Sequence, residues 1–183
     1  EMLGLSVMAE VPSVIFVSQR GGPSTGMPTK TEQSDLNLAV FGGSGDAQRI
    51  VLAPTNVEGC WRCAGKAFEM AERYQTPVIV LLDLYLSNRY ETVIVSPDER
   101  FEASSSKAMV PAKSGEKYQR FAKTDDGISP RAIPGQAGGI HTVTGLEHND
   151  LGRPSDQANI HMDMSEKRHN KLSKAVDHPG ITI

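Results

Sequence analysis

Short apolar runs alternate with polar stretches in the first half of the chain. Three such runs occur at residues 13–18, 49–53 and 76–83, and each contains several branched aliphatic residues. Continuous apolar runs of this length are typical of strands that are covered on both faces, as in a parallel sheet. We therefore predict three buried strands in this half of the chain.

Residues 57–74, between the second and third runs, carry a helical pattern. Apolar side chains recur there at steps of three and four, at Val57, Cys60 or Trp61, Ala64, Phe68, Ala71 and Tyr74. This spacing places them on one face of a helix, and Thr55 and Asn56 can cap its first turn. Strand, crossover helix and parallel strand form an α/β unit. The predicted fold class is α/β, with a parallel sheet and crossover helices followed by an irregular extension.

The second half of the chain has weaker signals. We expect a strand at residues 90–95, a loop at 104–116 and an irregular, exposed connection at 128–145, which contains two prolines and four glycines. Near the end, Ile160, Met164, Leu172 and Val176 fall on one stripe amid charged residues. This stripe predicts a surface or partner-facing helix that ends before Pro179.

Composition narrows the classes of function. Of the 183 residues, 38% are hydrophobic and 22% are charged, which disfavours disorder and allows one domain with or without an extension. The formal charge of −3 lacks the basic excess that binding to phosphates needs, so nucleic acid is excluded as a partner. No apolar run approaches the roughly 18 residues of a membrane span, so no membrane partner is expected. Cys60 and Cys63 are the only cysteines, which favours the reducing cytoplasm.

The most unusual segment is the loop of residues 19–35, which directly follows the first predicted strand and leads into a helix at residues 35–42. Ligands of α/β sheets bind at this end of the strands. Three glycines allow backbone N–H groups to approach an anion, and Arg20 can pair with a carboxylate through two hydrogen bonds. The spacing matches neither a Walker loop nor a dinucleotide fingerprint. The alternative is a plain Gly and Pro turn in which Thr29 and Glu32 form a capping box.

Other groups of reactive residue types have simpler interpretations. Cys60 and Cys63 have C-x-x-C spacing but lie inside the predicted helix, so we interpret them as core or boundary cysteines. Residues 42–45, a glycine-rich turn, follow a helix and end it. The loop around His141 and His148 matches no zinc pattern, so no metal site is predicted. The charged run 165–171 is interpreted as a solvated helix face.

Several segments, taken together, resemble a known family. The first half contains QRGGPSTGMPTKTEQSDL at 19–36, with GLSVMAE at 4–10, LAP at 52–54 and TPVIV at 76–80. The second half contains GISPRAIPG at 127–135, TGLEHN at 144–149 and SEKR at 165–168. These segments are similar to the alpha subunit of the 2-oxoacid:ferredoxin oxidoreductases, in particular the 2-oxoglutarate type. The resemblance covers nearly the whole chain.

The resemblance implies a thiamine diphosphate-binding fold of the pyrimidine type, truncated at its N-terminus. Residues 1–95 would be the C-terminal part of that domain, 96–159 an irregular linker, and 160–183 a helix that leads to a further domain. The implied reaction is oxidative decarboxylation of a 2-oxoacid, with 2-oxoglutarate favoured, to acyl-coenzyme A, with electrons passed to ferredoxin. Thiamine diphosphate and Mg²⁺ would be shared with a beta subunit that carries a [4Fe-4S] cluster.

The resemblance also implies roles for residues of the loop. Arg20 would bind the substrate carboxylate and Thr29 would hydrogen-bond to the substrate, with the turn setting their positions. The turn residues are Gly21, Gly22, Ser24, Thr25 and Gly26. A dicarboxylic substrate needs a second contact, for which His148 and Asp150 are candidates. The chain itself is expected to supply no catalytic residue and no metal ligand.

One part of the family pattern is missing. The Tyr-Pro-Ile-Thr-Pro motif and the Glu that activates the aminopyrimidine are expected before Glu1, so we expect that the chain is a piece of a longer protein and is inactive alone. Two other functions stay open: a noncatalytic anion-binding α/β subunit, and a transketolase-like thiamine enzyme without electron transfer.

Overall fold

A computed structural model describes residues 1–94, 116–173 and 175–176. Its elements, in chain order, are α1 Met2–Met8, β1 Ser13–Gln19, α2 Leu36–Phe41, β2 Ile50–Leu52, α3 Val57–Tyr74, β3 Pro77–Asp83, α4 Leu84–Ser87 and α5 Ala158–Ser173. The three predicted strands and the predicted crossover helix are all present. Only β3 is buried along most of its length, however; β2 is half-buried, and β1 carries exposed positions such as Phe16, which is 48% exposed.

The strands form one parallel sheet with the order β1-β3-β2. Ser13 pairs with Pro77 at one end of the β1–β3 ladder, and Gln19 pairs with Asp83 at the other. The short β2 pairs with the opposite edge of β3, where Ile50 lies beside Val78. The predicted α/β class is therefore confirmed, and β3 is the central strand among the described residues.

Both faces of β3 are covered, because successive side chains of a strand point to opposite faces. Val78 and Val80 pack with Ala67, Met70, Ala71 and Tyr74 of α3 on one face. Ile79 and Leu81 pack on the other face with Ala39 of α2 and with partly buried residues of α1, β1 and β2. The continuous apolar run at 76–83 follows from this double covering.

α3 has the bounds that its sequence pattern predicts. The Asn56 side chain accepts a hydrogen bond from the Gly59 amide at 2.6 Å and so caps the first turn. The helix ends at Tyr74, and the next residue, Gln75, caps it with a left-handed backbone at φ of 48°. The Gln75 side chain is fully buried and donates to the Ser129 carbonyl at 2.7 Å. This bond holds the later segment against the sheet.

Two sequence predictions are wrong: the strand at residues 90–95, which follows β3, and the capping box before α2. Residues 90–94 belong to no strand, and Val95 lies outside the described residues. The capping box of Thr29 and Glu32 is also wrong, because α2 begins at Leu36 and its N-cap residue is Asp35, which makes no capping bond through its side chain. Residues 128–145 contain no helix or strand, as predicted, whereas the predicted loop at 104–116 and Pro179 lie almost entirely outside the described residues.

α5 packs against the end of α1 through charged side chains. Its buried residues are Met164, Lys167, Arg168 and Lys171. Lys167 hydrogen-bonds to the buried carboxylate of Glu10, and Lys171 Nζ lies 3.4 Å from Oε2 of the same group. The prediction of a solvated face over 165–171 is therefore wrong for these cations, and α5 is not simply a surface helix. Sequence periodicity identifies apolar stripes, but here a buried carboxylate offsets the cost of burying ammonium groups.

The segment around residue 120 completes this charged contact. Arg120 is 3% exposed and donates to the Glu10 carbonyl at 2.9 Å. Lys171 also donates to the Gln75 carbonyl at 2.9 Å. Burial would raise the pKa of Glu10, but the ammonium groups of Lys171 and Lys167 lower it from 4.5 to about 2. Glu10 is thus ionised in the folded protein.

Candidate functional site

The predicted site loop connects the carboxyl end of β1 to the start of α2. Because Gln19 pairs with Asp83, the ends of β1 and β3 lie side by side at this edge of the sheet. Crevices at the carboxyl ends of parallel strands are where α/β proteins bind ligands. The loop therefore lies at the edge of the sheet where the sequence predicts a ligand site.

The loop folds back on itself through main-chain hydrogen bonds. The Gly21 amide donates to the Lys30 carbonyl at 3.1 Å, and the Met27 amide donates to the Gly21 carbonyl at 2.8 Å. The first bond brings Lys30, the residue after Thr29, against Gly21, the residue after Arg20. The sequence-predicted residues Arg20 and Thr29 are thus carried on neighbouring stretches of backbone.

This tight fold requires glycine at position 26. The Gly26 backbone has φ of +48°, and a Cβ built there would lie 2.0 Å from the Gly21 carbonyl oxygen. No side chain fits so close to a backbone oxygen, so substitution would force the turn open. Glycine at this position explains how the loop doubles back over only a few residues.

Arg20 presents its guanidinium at the surface of the loop. The side chain is exposed, and its Nε donates to the Thr25 carbonyl at 3.2 Å. Among the described residues, its Nη atoms have no hydrogen-bond partner. A guanidinium held through Nε with both Nη groups free suits a planar anion such as a carboxylate. Thr29 is also exposed.

Two glutamines hold the loop on the end of β3, and sequence reasoning assigns neither of them a role. The Gln19 side chain, 6% exposed, donates through Nε2 to the Leu82 carbonyl at 3.2 Å. Its Oε1 accepts from the Asp35 amide at 3.0 Å. Gln33 Nε2 donates to Asp83 Oδ2 at 2.6 Å. For Gln19, the available sequence signal is a long polar side chain at the last position of the strand; Gln33 lies in the loop and carries no comparable signal.

Asp83 links the loop to α4. Its Oδ1 accepts from the Leu86 amide at 2.6 Å, so it caps α4 while it also accepts from Gln33. The hydrogen bond from the Leu86 amide, followed by that from Gln33, holds the pKa of Asp83 below its usual value of 3.8. The carboxylate therefore stays ionised as an acceptor at neutral pH.

The structure places His148 and Asp150 in a different setting. His148 is fully buried, its ring packs 4.2 Å from that of Phe121, and Nδ1 lies 2.9 Å from the Leu146 carbonyl. Burial lowers the pKa of His148. Asp150 accepts from Gln119 Nε2 at 2.7 Å. These contacts hold the segment together, and the role of both residues as a second substrate contact stays a prediction.

A cavity of about 1140 Å³ lies against the face of the sheet that carries Ile15, Val17, Ile79 and Leu81. α1, α2 and the glycine-rich turn after α2 form its walls, and Arg168 and His161 also line it. Its lining includes Asp35 but not Arg20 or Thr29. The cavity is thus separate from the exposed surface of the loop.

The cysteine pair and the metal-ligating residue types offer no reactive site among the described residues. Cys60 and Cys63 are free thiols, and burial raises the pKa of Cys63 to about 11, which makes it a poor nucleophile. No group of three or more His, Cys, Asp or Glu that could hold a metal occurs among residues 1–94, 116–173 and 175–176. Within the same ranges, every helix is too short or too polar to cross a membrane.

Comparisons with known proteins agree on one family. Residues 1–167 match the family model described as "Pyruvate flavodoxin/ferredoxin oxidoreductase, thiamine diP-bdg". The alpha subunit of 2-oxoacid:ferredoxin oxidoreductase 1 from Sulfurisphaera tokodaii is 42% identical over 175 residues, which cover 96% of this chain and 28% of that relative. The 2-oxoglutarate oxidoreductase subunit KorA from Mycobacterium tuberculosis is 39% identical, over 94% of this chain and 26% of that relative.

A solved structure agrees with these relatives. It is 2-oxoglutarate:ferredoxin oxidoreductase from Magnetococcus marinus with 2-oxoglutarate, coenzyme A and succinyl-CoA bound, with a TM-score of 0.87 and 40% identity over 99% of this chain and 31% of that chain. The present chain thus spans less than a third of the length of each of these proteins. The family match covers nearly all of the sequence and the fold agrees, so the chain belongs to the thiamine diphosphate-binding family of the pyruvate flavodoxin/ferredoxin oxidoreductases, which confirms the resemblance seen in its sequence.

Proposed function

We propose that this chain is part of the alpha subunit of an enzyme that oxidatively decarboxylates a 2-oxoacid to acyl-coenzyme A and passes the electrons to ferredoxin. The observation that carries the proposal is the exposed Arg20 guanidinium, held through Nε on a folded loop at the carboxyl end of β1. The names of the relatives and of the similar solved structure favour 2-oxoglutarate as the substrate.

In this proposal, Arg20 binds the carboxylate next to the keto group. Its Nη atoms can form two parallel charge-assisted hydrogen bonds with the two carboxylate oxygens, which fixes both the position and the plane of the substrate. Thr29 donates its hydroxyl to the substrate from the returning stretch of the loop. The turn residues Gly21, Gly22, Ser24, Thr25 and Gly26 set the distance between these two groups.

In this proposal, thiamine diphosphate and Mg²⁺ are bound at a site that this chain shares with a beta subunit. Thiamine diphosphate, when bound, supplies the electron sink that allows a 2-oxoacid to lose carbon dioxide. The described residues offer a carboxylate-binding loop, so this chain's contribution is to orient the substrate. We assign Mg²⁺ and the diphosphate contacts, together with a [4Fe-4S] cluster, to a beta subunit. Coenzyme A accepts the acyl group, and ferredoxin accepts the electrons.

We further propose that the enzyme works in the cytoplasm, which the two free cysteines favour. We also propose that residues 1–95 belong to the pyrimidine-binding domain, that 96–159 form a linker, and that 160–183 lead to a further domain. The 183-residue chain by itself is expected to be inactive, because it spans less than a third of the length of the relatives named above.

The test uses the full-length alpha subunit purified with its beta subunit without oxygen. Reduction of a viologen dye is followed with 2-oxoglutarate and coenzyme A. Arg20→Met is expected to lower kcat/KM by roughly 30-fold or more, because loss of a charge-assisted pair costs about 2 kcal/mol or more. Arg62→Met is the matched control, since Arg62 pairs with Glu58 on the exposed side of α3.

Two results would contradict the proposal. A loaded wild-type complex that does not reduce the dye would favour a noncatalytic anion-binding subunit, or a transketolase-like enzyme if it transfers carbon units between sugars instead. Full turnover by a folded Arg20→Met complex would remove Arg20 from the substrate site.

A further inference from the structure

We propose that Gln19 is a positioning residue that fixes the direction in which Arg20 presents its guanidinium. This inference rests on the proposed function of the loop and assigns a role to a side chain that does not itself meet the substrate. The structural basis is the set of hydrogen bonds that Gln19 makes on both sides of the loop.

Both polar atoms of the Gln19 amide are used, and they join two different elements. Nε2 donates to the Leu82 carbonyl of the neighbouring strand at 3.2 Å, and Oε1 accepts from the Asp35 amide at 3.0 Å. Gln19 is the last residue of β1, and Asp35 is the N-cap of α2. One side chain therefore connects the start of the loop, its end and the central strand.

The burial of this amide makes its orientation specific. Gln19 is 6% exposed, so water does not readily replace either hydrogen bond, and buried polar groups keep their partners because leaving them unpaired is unfavourable. Leu82 lies on β3, the central strand of the sheet. The loop thus begins and ends at points that are fixed relative to the most buried strand.

The effect reaches Arg20 through the backbone. Arg20 follows Gln19 directly along the chain, so a fixed, buried Gln19 restricts the backbone from which the exposed Arg20 side chain extends. Arg20 is then held from the loop side by the bond from Nε to the Thr25 carbonyl. With both constraints present, the free Nη atoms have a defined direction before substrate arrives.

Gln33 provides a second, weaker constraint on the same end of the loop. Its Nε2 bonds to Asp83 at 2.6 Å on the exposed side. Gln33→Leu therefore removes one loop contact without disturbing the interior. It serves as a variant that is expected to fold even if replacement of the buried Gln19 impairs folding.

The experiment measures KM for 2-oxoglutarate and kcat separately in the full alpha and beta complex. Gln19→Met keeps the length of the side chain and removes both hydrogen bonds. We expect KM to rise about tenfold, with kcat per folded active site changed less than about twofold, because a misdirected guanidinium weakens substrate binding. Gln33→Leu should raise KM about threefold. Gln136→Met, which removes the hydrogen bond from the Ile133 amide to the Gln136 side chain in the irregular segment, is the matched control and should leave KM unchanged.

A double variant separates positioning from general damage. If Gln19 acts through Arg20, Gln19→Met should raise KM no further in an Arg20→Met background. An unchanged KM in both Gln19→Met and Gln33→Leu, or independent effects in the double variant, would overturn the positioning role and leave the proposed function standing. A wild-type complex without oxoacid-dependent dye reduction would instead overturn the proposed function, and the role of Gln19 with it.

Discussion

The carboxylate of Glu10 and the ammonium group of Lys171 lie 3.4 Å apart, although they belong to the two ends of the described chain. Both side chains are almost fully buried, at 2% and 1% exposure. Lys167 bonds to the same carboxylate, so one anion compensates two buried cations. The charge of Glu10 is therefore needed to keep α5 on the fold.

Glu10→Gln is expected to destabilise the domain strongly. The amide keeps the size of the side chain but leaves two ammonium groups buried without a counter-ion, and breaking a buried pair in this way costs about 3–5 kcal/mol. Hydrogen exchange of the β3 amides in the full-length subunit measures the change. Glu166→Gln, which removes an exposed partner of Lys123, is the control and should leave the exchange rates close to those of the wild type. Equal exchange rates in the two variants would show that the buried cluster does not support the fold.

The same carboxylate predicts how stability depends on pH in acid. The pKa of Glu10 is lowered from 4.5 to about 2 in the folded protein, so the folded state holds this proton more weakly than the unfolded state does. Its contribution of about 3 kcal/mol is complete above pH 4.5 and is lost as the pH falls toward 2. Unfolding of the wild type and of Glu10→Gln by urea should therefore converge over this range. A constant difference in unfolding free energy down to pH 2 would contradict the ionised state of Glu10.

The sheet and its crossover helix could be predicted because their signals are local. Apolar side chains recur at steps of three and four over residues 57–74. The apolar run around Val78 and Val80 is continuous because both faces of β3 are covered. The position of the site loop also follows from local sequence, since Arg20 and the glycines directly follow β1.

The buried contacts of α5 and of Gln19 could not be predicted in the same way. Lys167 and Lys171 form part of a charged stretch whose partner, Glu10, stands near the other end of the sequence, and no periodicity connects them. Gln19 likewise depends on Leu82, which reaches it only through strand pairing. Contacts between residues far apart in the sequence decide whether a polar side chain is solvated or buried. The pattern of a single sequence does not show which distant residues will meet.

Gly26→Ala is expected to impair activity more than it impairs the fold. The new methyl group would meet the Gly21 carbonyl at 2.0 Å and the left-handed backbone would be strained, so the turn that carries Thr29 back toward Arg20 must open. We expect kcat/KM for the 2-oxoacid to fall by about tenfold or more in the full complex. Gly4→Ala in α1 is the control, because a Cβ there meets nothing within 4 Å. Wild-type kcat/KM in Gly26→Ala would mean that the folded turn is not needed for substrate binding.

His148→Ala tests whether the segment around residue 148 selects the substrate. The imidazole is fully buried against Phe121 and is bonded to the Leu146 carbonyl, so it is not presented to a ligand in this arrangement. From this burial we expect equal relative losses of kcat/KM for 2-oxoglutarate and for pyruvate, measured in the full complex. Asp150→Asn, which alters the neighbouring bond from Gln119, should likewise affect both substrates equally. A loss confined to 2-oxoglutarate would instead establish the second substrate contact that the sequence predicts. Pyruvate has no second carboxylate, so loss of such a contact would not affect it.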